Sequence, residues 1–500
     1  MPFRALLYSF FLLAMICLAT PACEAKLTLA SIFGDHMVLQ QGKPVKIWGT
    51  ADPGAVVGIR IGDRKQVAHA GDDGKWLASV EPPPAGGPYQ ITVVSDTKIV
   101  VDDVMVGEVW LCGGQSNMVL TNADLKTRGE EDPGQRKIRF ITLPPVASSV
   151  PEADFKGTWR VLDRDSEGLC SALAGSFGAS LEKDLGVPVG LVISAVGGSR
   201  VQAWISKPGL ERFNTGKSVA EKLDKTVESL EKRRLKTRSL ALSVDEKDAN
   251  AEAVKGLFLS GATLYNAMIA PLVPFVFKGV IWYQGEANVY EVANYQRFLS
   301  ELIKDWRLAF DDPEIPFIYV QLPPYGKPQV APSDSGPLAK FREAQTRLSI
   351  FPYSFMAVTT DCCYVKEPDW HASDKQKIGR RLARIALATQ YKKPYKFKSP
   401  VLGTFKKEGK KVRLRFRNVT KGLKASGGSL EGFAIAGDDK KMVWAEAAID
   451  GESGDSVLVW SDEISDPKVV TYAWADNPRG NLLGDDNLPA VPFRAEFKAY

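Results

Sequence analysis

The middle of the chain alternates short apolar segments with amphipathic ones, and this alternation restricts the fold more than any other feature. Helices with one apolar face are predicted between and after the apolar segments. Strands that alternate with helices are typical of α/β domains around a parallel sheet, which we predict over residues 106–396. Buried-type strands are predicted at Val189–Ala195, Gly279–Tyr283, Phe317–Gln321 and Phe355–Thr359.

Two β-rich regions flank this predicted domain. Residues 26–105 contain short β-rich runs separated by turn signals such as Asp52-Pro53-Gly54, which favours a small β-sandwich. Residues 397–500 return to β character, and Lys411–Phe416 alternates as a half-buried strand does. Lys and Glu dominate residues 219–255, which we interpret as a helical excursion whose charges form a solvated face on the α/β domain.

Residues 1–25 have the pattern of a secretory signal peptide. Arg4 precedes an apolar run, Leu6–Leu18, that is too short for a comfortable membrane span. Small residues follow, and cleavage after Ala25 would release a secreted or periplasmic protein. A lipoprotein signal cut before Cys23 and a membrane anchor are the alternatives. No later stretch is long and apolar enough to cross a bilayer, so we expect no membrane span in the mature chain.

Composition excludes several classes of function. The net charge is only +5 over 500 residues, with acidic and basic residues mixed, so nucleic acid is not an implied partner. There are three histidines, no H-E-x-x-H, no Cys-x-x-Cys and no P-loop, so we expect no metal and no cofactor. The cysteines after residue 25 are too few for a disulfide scaffold, although one bridge is possible in an oxidising compartment.

A serine follows one predicted strand of the α/β region. The strand Val106–Cys112 continues into Gly113-Gly114-Gln115-Ser116-Asn117-Met118, where the two glycines permit a tight turn. Ligands of open α/β sheets bind at the carboxyl ends of strands, where Ser116 is expected to lie. Ser116 is therefore a candidate nucleophile that needs a base, and a serine that merely caps a helix is the alternative.

One histidine is placed to act as that base. His36 and His69 lie in the N-terminal β region, whereas His371 lies in a predicted loop of the α/β region. Asp369 stands two residues earlier and could accept a hydrogen bond from the imidazole, which would fix its tautomer and stabilise its cationic form. Ser116, His371 and Asp369 are thus a candidate catalytic triad.

Two further strand ends offer hydrogen-bond donors for an oxyanion. Gly197-Gly198 follows the strand Val189–Ala195, and a glycine N–H there is unobstructed. The segment Trp282–Asn288 follows another strand, and the Asn288 side-chain amide can donate. Together with the Ser116 N–H, these groups form a candidate oxyanion hole, and turn geometry alone is the alternative explanation of the glycines.

These motifs together resemble the sialate O-acetylesterase family of SGNH-fold carbohydrate esterases. The resemblance extends to Phe33–Gln40 near the start and Tyr472–Pro478 near the end, so it covers nearly the whole mature chain. The four blocks stand in the family's order: Gly114–Met118; Gly197–Ser199 with Gln202–Trp204; Gly285–Asn288; and Asp369–His371.

The resemblance implies a fold and a set of roles. The expected fold is an SGNH-hydrolase-like three-layer domain with a parallel sheet, flanked by the two β regions. Ser116 is the expected nucleophile and His371 the base, oriented by Asp369. The Ser116 N–H, the Gly198 N–H and the Asn288 side chain are the expected oxyanion donors.

Two residues depart from the family pattern without removing a reacting group. Ala287 replaces the serine usual in Gly-Glu-Ser-Asn, and Ala372 stands where proline often follows the histidine. Asp361 and Glu367 are the alternative acids should Asp369 not orient the base.

The expected substrate is an acetylated sugar. Gln115, Arg200, Trp204 and Gln284 lie beside the motifs and are predicted to contact it, with Arg200 a candidate partner for the sialate carboxylate. The resemblance suggests acetylated sialic acid. Acetylated plant or algal polysaccharides such as xylan or xyloglucan are an alternative, and a non-catalytic carbohydrate-binding protein is a further one.

Overall fold

The computed structural model describes residues 26–126, 137–232, 242–243, 261–362, 370–452 and 454–497. The predicted signal peptide therefore lies outside the described residues.

A long strand joins the N-terminal β region to the central region. Its first half pairs with strands of the N-terminal region, and its second half lies in the central sheet. The boundary predicted at residues 105 and 106 therefore lies inside a continuous strand, and the buried apolar residues on both sides form one core. The strands are β1 Val38–Gln40, β2 Val45–Thr50, β3 Val56–Ile61, β4 Arg64–His69, β5 Lys75–Val80, β6 Gly86–Val94 and β7 Lys98–Gly114.

The central sheet has the strand order β10-β8-β11-β7-β13-β14-β15. All neighbouring pairs are parallel except β10 with β8, so the sheet is mixed and mainly parallel, and the predicted α/β class is confirmed. The strands introduced here are β8 Ile138–Thr142, β9 Val146–Ala147, β10 Arg160–Val161, β11 Val189–Ala195, β12 Leu242–Ser243, β13 Gly279–Tyr283, β14 Phe317–Val320 and β15 Ser354–Ala357.

Helices cover both faces of this sheet. Trp110 in β7 contacts Phe177 of α2 edge-on, with ring centroids 5.1 Å apart. Trp282 of β13 is in register with Gly113, so its side chain lies on the face of the sheet opposite to Trp110. There it contacts Trp306 of α6, with ring centroids 5.6 Å apart. The helices are α1 Ser116–Val119, α2 Ala172–Leu185, α3 Lys207–Glu211, α4 Asn214–Lys232, α5 Thr263–Met268, α6 Val292–Ala309, α7 Pro337–Leu348 and α8 Lys375–Gln390.

Capping residues explain where α2 and α8 begin and end. Ser171 accepts a hydrogen bond from the Ala174 N–H at the start of α2, and Gly186 ends the helix in the left-handed conformation. Asp374 caps α8 by accepting from the Lys377 N–H at 2.8 Å. The helix α4 begins five residues before the predicted excursion at 219, most of which, beyond Lys232, lies outside the described residues.

The C-terminal region forms two four-stranded antiparallel sheets with a core of their own. Val412, Leu414 and Phe416 alternate into that core, as the sequence pattern predicts. The strands are β16 Val401–Glu408, β17 Lys411–Arg417, β18 Lys424–Ala425, β19 Phe433–Ala436, β20 Val443–Trp444, β21 Glu446–Ile449, β22 Ser456–Trp460, β23 Val469–Tyr472, β24 Leu482–Leu483 and β25 Phe493–Glu496.

The cysteines Cys112, Cys170 and Cys362 are buried as free thiols. None of the helices in the described part of the chain combines the length and the apolar character that crossing a bilayer requires.

Candidate active site

Three neighbouring strands end level with one another at the carboxyl edge of the central sheet. Gly114 of β7 is in register with Ala195 of β11 and with Tyr283 of β13. The segments that carry the predicted motifs leave the sheet directly after these residues. Parallel pairing therefore places the serine, glycine and asparagine blocks side by side.

The turn that carries Ser116 requires glycine at its start. Gly114 has a φ of +143°, and a Cβ there would lie 2.1 Å from the main-chain oxygen of Tyr283. The Gln115 N–H donates to the same oxygen at 3.0 Å. The chain then turns into α1, which begins at the half-buried Ser116.

The glycine block lies against the nucleophile turn. A Cβ added to Gly197 would lie 3.6 Å from the Cβ of Ser116, while Gly198, at a φ of +69°, faces open space. Among the described residues, neither the Ser116 N–H nor the Gly198 N–H donates a hydrogen bond. Neither main-chain donor is therefore committed to another described residue.

The loop that carries His371 is attached to the residue after Ser116. Asn117 donates from Nδ2 to the main-chain oxygen of Trp370 at 2.8 Å, and its Oδ1 accepts from the Ala372 N–H at 3.3 Å. These two hydrogen bonds hold the backbone on both sides of the half-buried His371. We call residues 370–374, which contain His371 and end where α8 begins, the base loop.

Of the three candidate acids, Asp369 and Glu367 lie outside the described residues. Asp361 is bound by two cations of α8: Arg381 donates to both of its oxygens at 2.8 and 2.9 Å, and Lys377 lies 2.8 Å away. Burial would raise the pKa of Asp361, but these cations outweigh burial and lower the pKa to about 2. Asp361 therefore serves an ion-pair network with α8.

Asn288 connects the asparagine block to the glycine block. Its Oδ1 accepts from the Val201 N–H at 3.0 Å and from Gln284 Nε2 at 2.7 Å. Its Nδ2 donates to Gln202 Oε1 at 3.0 Å and to Glu291 Oε2 at 2.9 Å. The sequence analysis assigned the Asn288 amide to an oxyanion. In the structure, this amide donates hydrogen bonds to two other side chains of the protein.

Gln115, which the sequence predicted only as a substrate contact, offers a donor beside Ser116. Its Oε1 accepts from the N–H groups of Gly285 and Ala287 at 3.3 and 3.4 Å, which orients the amide. Its Nε2 forms no hydrogen bond with the described residues, nor is it among their enclosed polar atoms that lack a partner. This donor therefore reaches accessible space, and the Ala287 departure leaves its orientation intact.

The other predicted substrate contacts are partly used by the protein itself. Arg200 forms an ion pair with Glu291 at 2.9 Å. Gln284 is fully buried, where it donates to the main-chain oxygen of Ser199 at 3.1 Å. Trp204 is also fully buried and donates to Ser199 Oγ at 2.9 Å, so its ring offers no surface to a sugar in this structure.

A stacked aromatic pair lies at the base loop. Trp370 is half-buried, and its ring is parallel to that of Tyr325, with centroids 3.6 Å apart. Tyr325 belongs to the loop between β14 and α7, and the sequence contains no local pattern that relates it to the site. Its N–H donates to the main-chain oxygen of Asp476, within the Tyr472–Pro478 motif, at 3.0 Å.

Taken together, these groups fit acyl transfer. A serine hydroxyl, a histidine-bearing loop held next to it and main-chain donors at the same sheet edge are the components that such chemistry uses. Among the described residues, no group of three or more histidine, cysteine or carboxylate side chains is arranged to hold a metal ion.

Comparisons with known proteins agree with this chemistry. Residues 249–388 match the family model described as carbohydrate esterase, sialic acid-specific acetylesterase. The chain is 28% identical to the mouse sialate O-acetylesterase over 418 residues, which cover 74% of this chain and 75% of that protein. It is 27% identical to the human sialate O-acetylesterase over 410 residues, with 74% and 73% covered.

A solved structure is similar over nearly the whole length. The crystal structure of a carbohydrate acetylesterase from Xanthomonas citri superposes with a TM-score of 0.79 at 30% sequence identity. The alignment covers 94% of this chain and 99% of that one, and so includes both flanking β regions.

Proposed function

Because this chain belongs to the sialate O-acetylesterase family of carbohydrate esterases, and is therefore a carboxylic ester hydrolase, we propose that it removes O-acetyl groups from sialic acids or related acetylated glycans. The observation that carries the proposed site is the pair of hydrogen bonds between the Asn117 side chain and the backbone on either side of His371: Asn117 donates to the Trp370 oxygen and accepts from the Ala372 N–H. They hold the base loop beside the serine turn.

The proposed reaction has two steps on an SGNH-hydrolase-like α/β domain. His371 removes the proton of Ser116 as its oxygen attacks the acetyl carbonyl, and the sugar alcohol leaves with a proton from His371. Water, activated by the same imidazole, then releases acetate and restores Ser116. We assign the orienting carboxylate to Asp369, since Asp361 is bound by Arg381 and Lys377.

Three donors are proposed for the oxyanion. The Ser116 and Gly198 N–H groups are the first two. We assign the third to Gln115 Nε2, because this donor is oriented and uncommitted, whereas the Nδ2 of Asn288 already donates to Gln202 and Glu291. In this assignment Asn288 holds the glycine block in place.

We also propose that the enzyme is exported. The apolar run Leu6–Leu18 after Arg4, followed by small residues up to Ala25, supports cleavage there and a secreted or periplasmic product. N-terminal sequencing of the protein recovered outside the cytoplasm is expected to begin at Lys26. A chain that keeps residues 1–25 would contradict the proposal.

One observation favours neutral acetylated polysaccharides as the second candidate substrate. Sialate carries a carboxylate, and the predicted partner for it, Arg200, already forms an ion pair with Glu291 at 2.9 Å. A neutral glycan such as acetylated xylan needs no cation. Acetate release from acetylated sialic acid and from acetylated xylan, measured side by side, distinguishes these candidates.

The hydrolytic site is tested with Ser116→Ala and His371→Ala. Both are expected to lower hydrolysis of p-nitrophenyl acetate and of the glycan esters to near background. Ser180→Ala is the matched control, because Ser180 is a half-buried helical serine whose hydroxyl bonds, in the part of the chain that the structure describes, only the Ser176 main-chain oxygen. Acetate release that continues unchanged in Ser116→Ala would refute the assignment.

A further inference from the structure

A buried cation and a carboxylate lie at opposite ends of the Asn117 side chain. Lys375 Nζ donates to Asn117 Oδ1, and Asn117 Nδ2 donates to Glu286 Oε1. Asn117 is fully buried and Lys375 is 2% exposed. The second oxygen of Glu286 is enclosed and has no hydrogen-bond partner among the described residues. The amide of Asn117 is thus enclosed between two groups whose hydrogen-bonding roles are fixed.

These two groups accept only one orientation of the amide. An ammonium group can only donate and an ionised carboxylate can only accept, while an amide accepts at its oxygen and donates at its nitrogen. Rotation of the Asn117 amide by half a turn would place its NH₂ against Lys375 and its oxygen against Glu286. Both contacts would then be repulsive, and burial strengthens such effects because the local dielectric is low.

The selected orientation is the one that the base loop needs. The main-chain oxygen of Trp370 requires a donor, and the Ala372 N–H requires an acceptor, and Asn117 supplies both. A turned or mobile amide would lose the two hydrogen bonds that flank His371. A displacement of about 1 Å between reacting groups can cost about 10²-fold in rate.

The positive charge of Lys375 offsets only part of the burial cost of Glu286, whose pKa stays raised above its ordinary value. Desolvation raises the pKa of Glu286, and its hydrogen bond from Asn117 and the positive charge of Lys375 oppose that rise. Lys375 lies 5.3 Å from the ring centroid of Tyr283, the last residue of β13. Lys375 is itself the first residue of α8, so the cluster connects the serine turn, the end of β13 and the helix that follows the base loop.

We infer that Lys375 and Glu286 are positioning residues for ester hydrolysis. They fix the Asn117 amide, which in turn fixes the backbone of His371 relative to Ser116. This inference rests on the proposed function, in which Ser116 and His371 react. Lys375 and Glu286 act through Asn117 and do not contact the substrate.

A double-mutant cycle on the full chain tests the inference. Lys375→Met and Asn117→Leu are each expected to lower kcat for p-nitrophenyl acetate about 10- to 100-fold, with KM changed by less than about 2-fold. The double variant is expected to be no slower than the slower single variant, because Lys375 acts through Asn117. Lys393→Met is the control, since the only hydrogen bond that Lys393 Nζ forms with the described residues goes to the Asp184 main-chain oxygen, and its kcat is expected to stay unchanged.

Two results would overturn the inference. One is a kcat for Lys375→Met within about 2-fold of wild type, and the other is a double variant whose loss equals the product of the two single losses. If Lys375→Met does not fold, the isosteric Glu286→Gln is expected to lower kcat about 3- to 10-fold at unchanged KM. The glutamine amide can donate as well as accept, so it would also permit the Asn117 amide to rotate by half a turn. An unchanged kcat in Glu286→Gln would also count against it.

Ser116→Ala is measured in parallel to separate this inference from the proposed function. Full activity in Ser116→Ala refutes the proposed function itself. Loss of activity in Ser116→Ala together with full activity in Lys375→Met refutes only the positioning role.

Discussion

Arg342 donates a hydrogen bond from Nη2 to the main-chain oxygen of Asp476, 2.8 Å away. The same guanidinium donates to the oxygens of Ala475 and of Leu322, each at 2.7 Å. One fully buried side chain of α7 therefore connects the C-terminal Tyr472–Pro478 motif to the loop that carries the partner of Trp370. The Tyr472–Pro478 motif, which carries the resemblance near the end of the sequence, thus has a bracing role: through Arg342 it is bound to the loop that carries Tyr325.

Replacing Arg342 with Met is expected to destabilise the protein by about 3–5 kcal/mol, because four carbonyl groups, three of them in buried hydrogen bonds, each lose a charged donor. Denaturant unfolding measures this change. Arg347→Met on the same helix is the control: its ion pair with Glu343 is exposed and is worth at most about 0.5 kcal/mol. Equal losses in the two variants would contradict the bracing role.

Gln115→Leu and Asn288→Leu are expected to differ in what they damage. Gln115→Leu should lower kcat by about 10²–10³, because it removes an oxyanion donor. It should lower the melting temperature less than Asn288→Leu does, because it removes only the two long hydrogen bonds from the Gly285 and Ala287 N–H groups. Asn288→Leu should lower the melting temperature, since four buried hydrogen bonds are lost. Kinetics and thermal unfolding of both variants are the measurements. A large loss of kcat in an Asn288→Leu variant of unchanged melting temperature would indicate that Asn288 donates to the oxyanion.

Asp361 is expected to make stability depend on pH in the acidic range. Its pKa is lowered from 3.8 to about 2 in the folded protein, so its ionised form stabilises the fold above about pH 4. That contribution, about 2 kcal/mol, should disappear as the pH falls from about 4 to 2. The difference in unfolding free energy between wild type and Asp361→Asn should shrink by this amount over that range. A difference independent of pH would show that the ion pair with Arg381 contributes nothing through ionisation.

Trp370→Ala is expected to discriminate between large and small substrates. Its partly exposed ring beside His371 is placed to contact a sugar, so KM for an acetylated oligosaccharide should rise about 2- to 10-fold more than KM for p-nitrophenyl acetate. Trp204→Phe is the control, because Trp204 is buried and its replacement should affect both substrates alike. If Trp370→Ala changes KM equally for the oligosaccharide and for p-nitrophenyl acetate, Trp370 does not contact the sugar.

Periodicity and local motifs were sufficient for the central strands and for the placement of Ser116. The strands Val189–Ala195 and Gly279–Tyr283 have the predicted bounds, because uninterrupted runs of apolar residues are stable only where both faces of a strand are covered. The roles of Gln115 and Asn288 could not be read in the same way. Both are amides beside glycine turns, and only their hydrogen-bond partners distinguish a free donor from a committed one.

The sequence by itself determined the α/β class, the flanking β regions and the presence of a serine and a histidine in loops of one domain, since these follow from local spacing and composition. Only the tertiary structure decided that Trp204 lies in the hydrophobic core, that Asp361 forms an ion pair with Arg381 and that Tyr325 stacks on Trp370. The physical reason is that burial and pairing depend on which distant segments meet. Asn117 and Lys375 are 258 residues apart in the chain, and no local pattern encodes a contact over that separation.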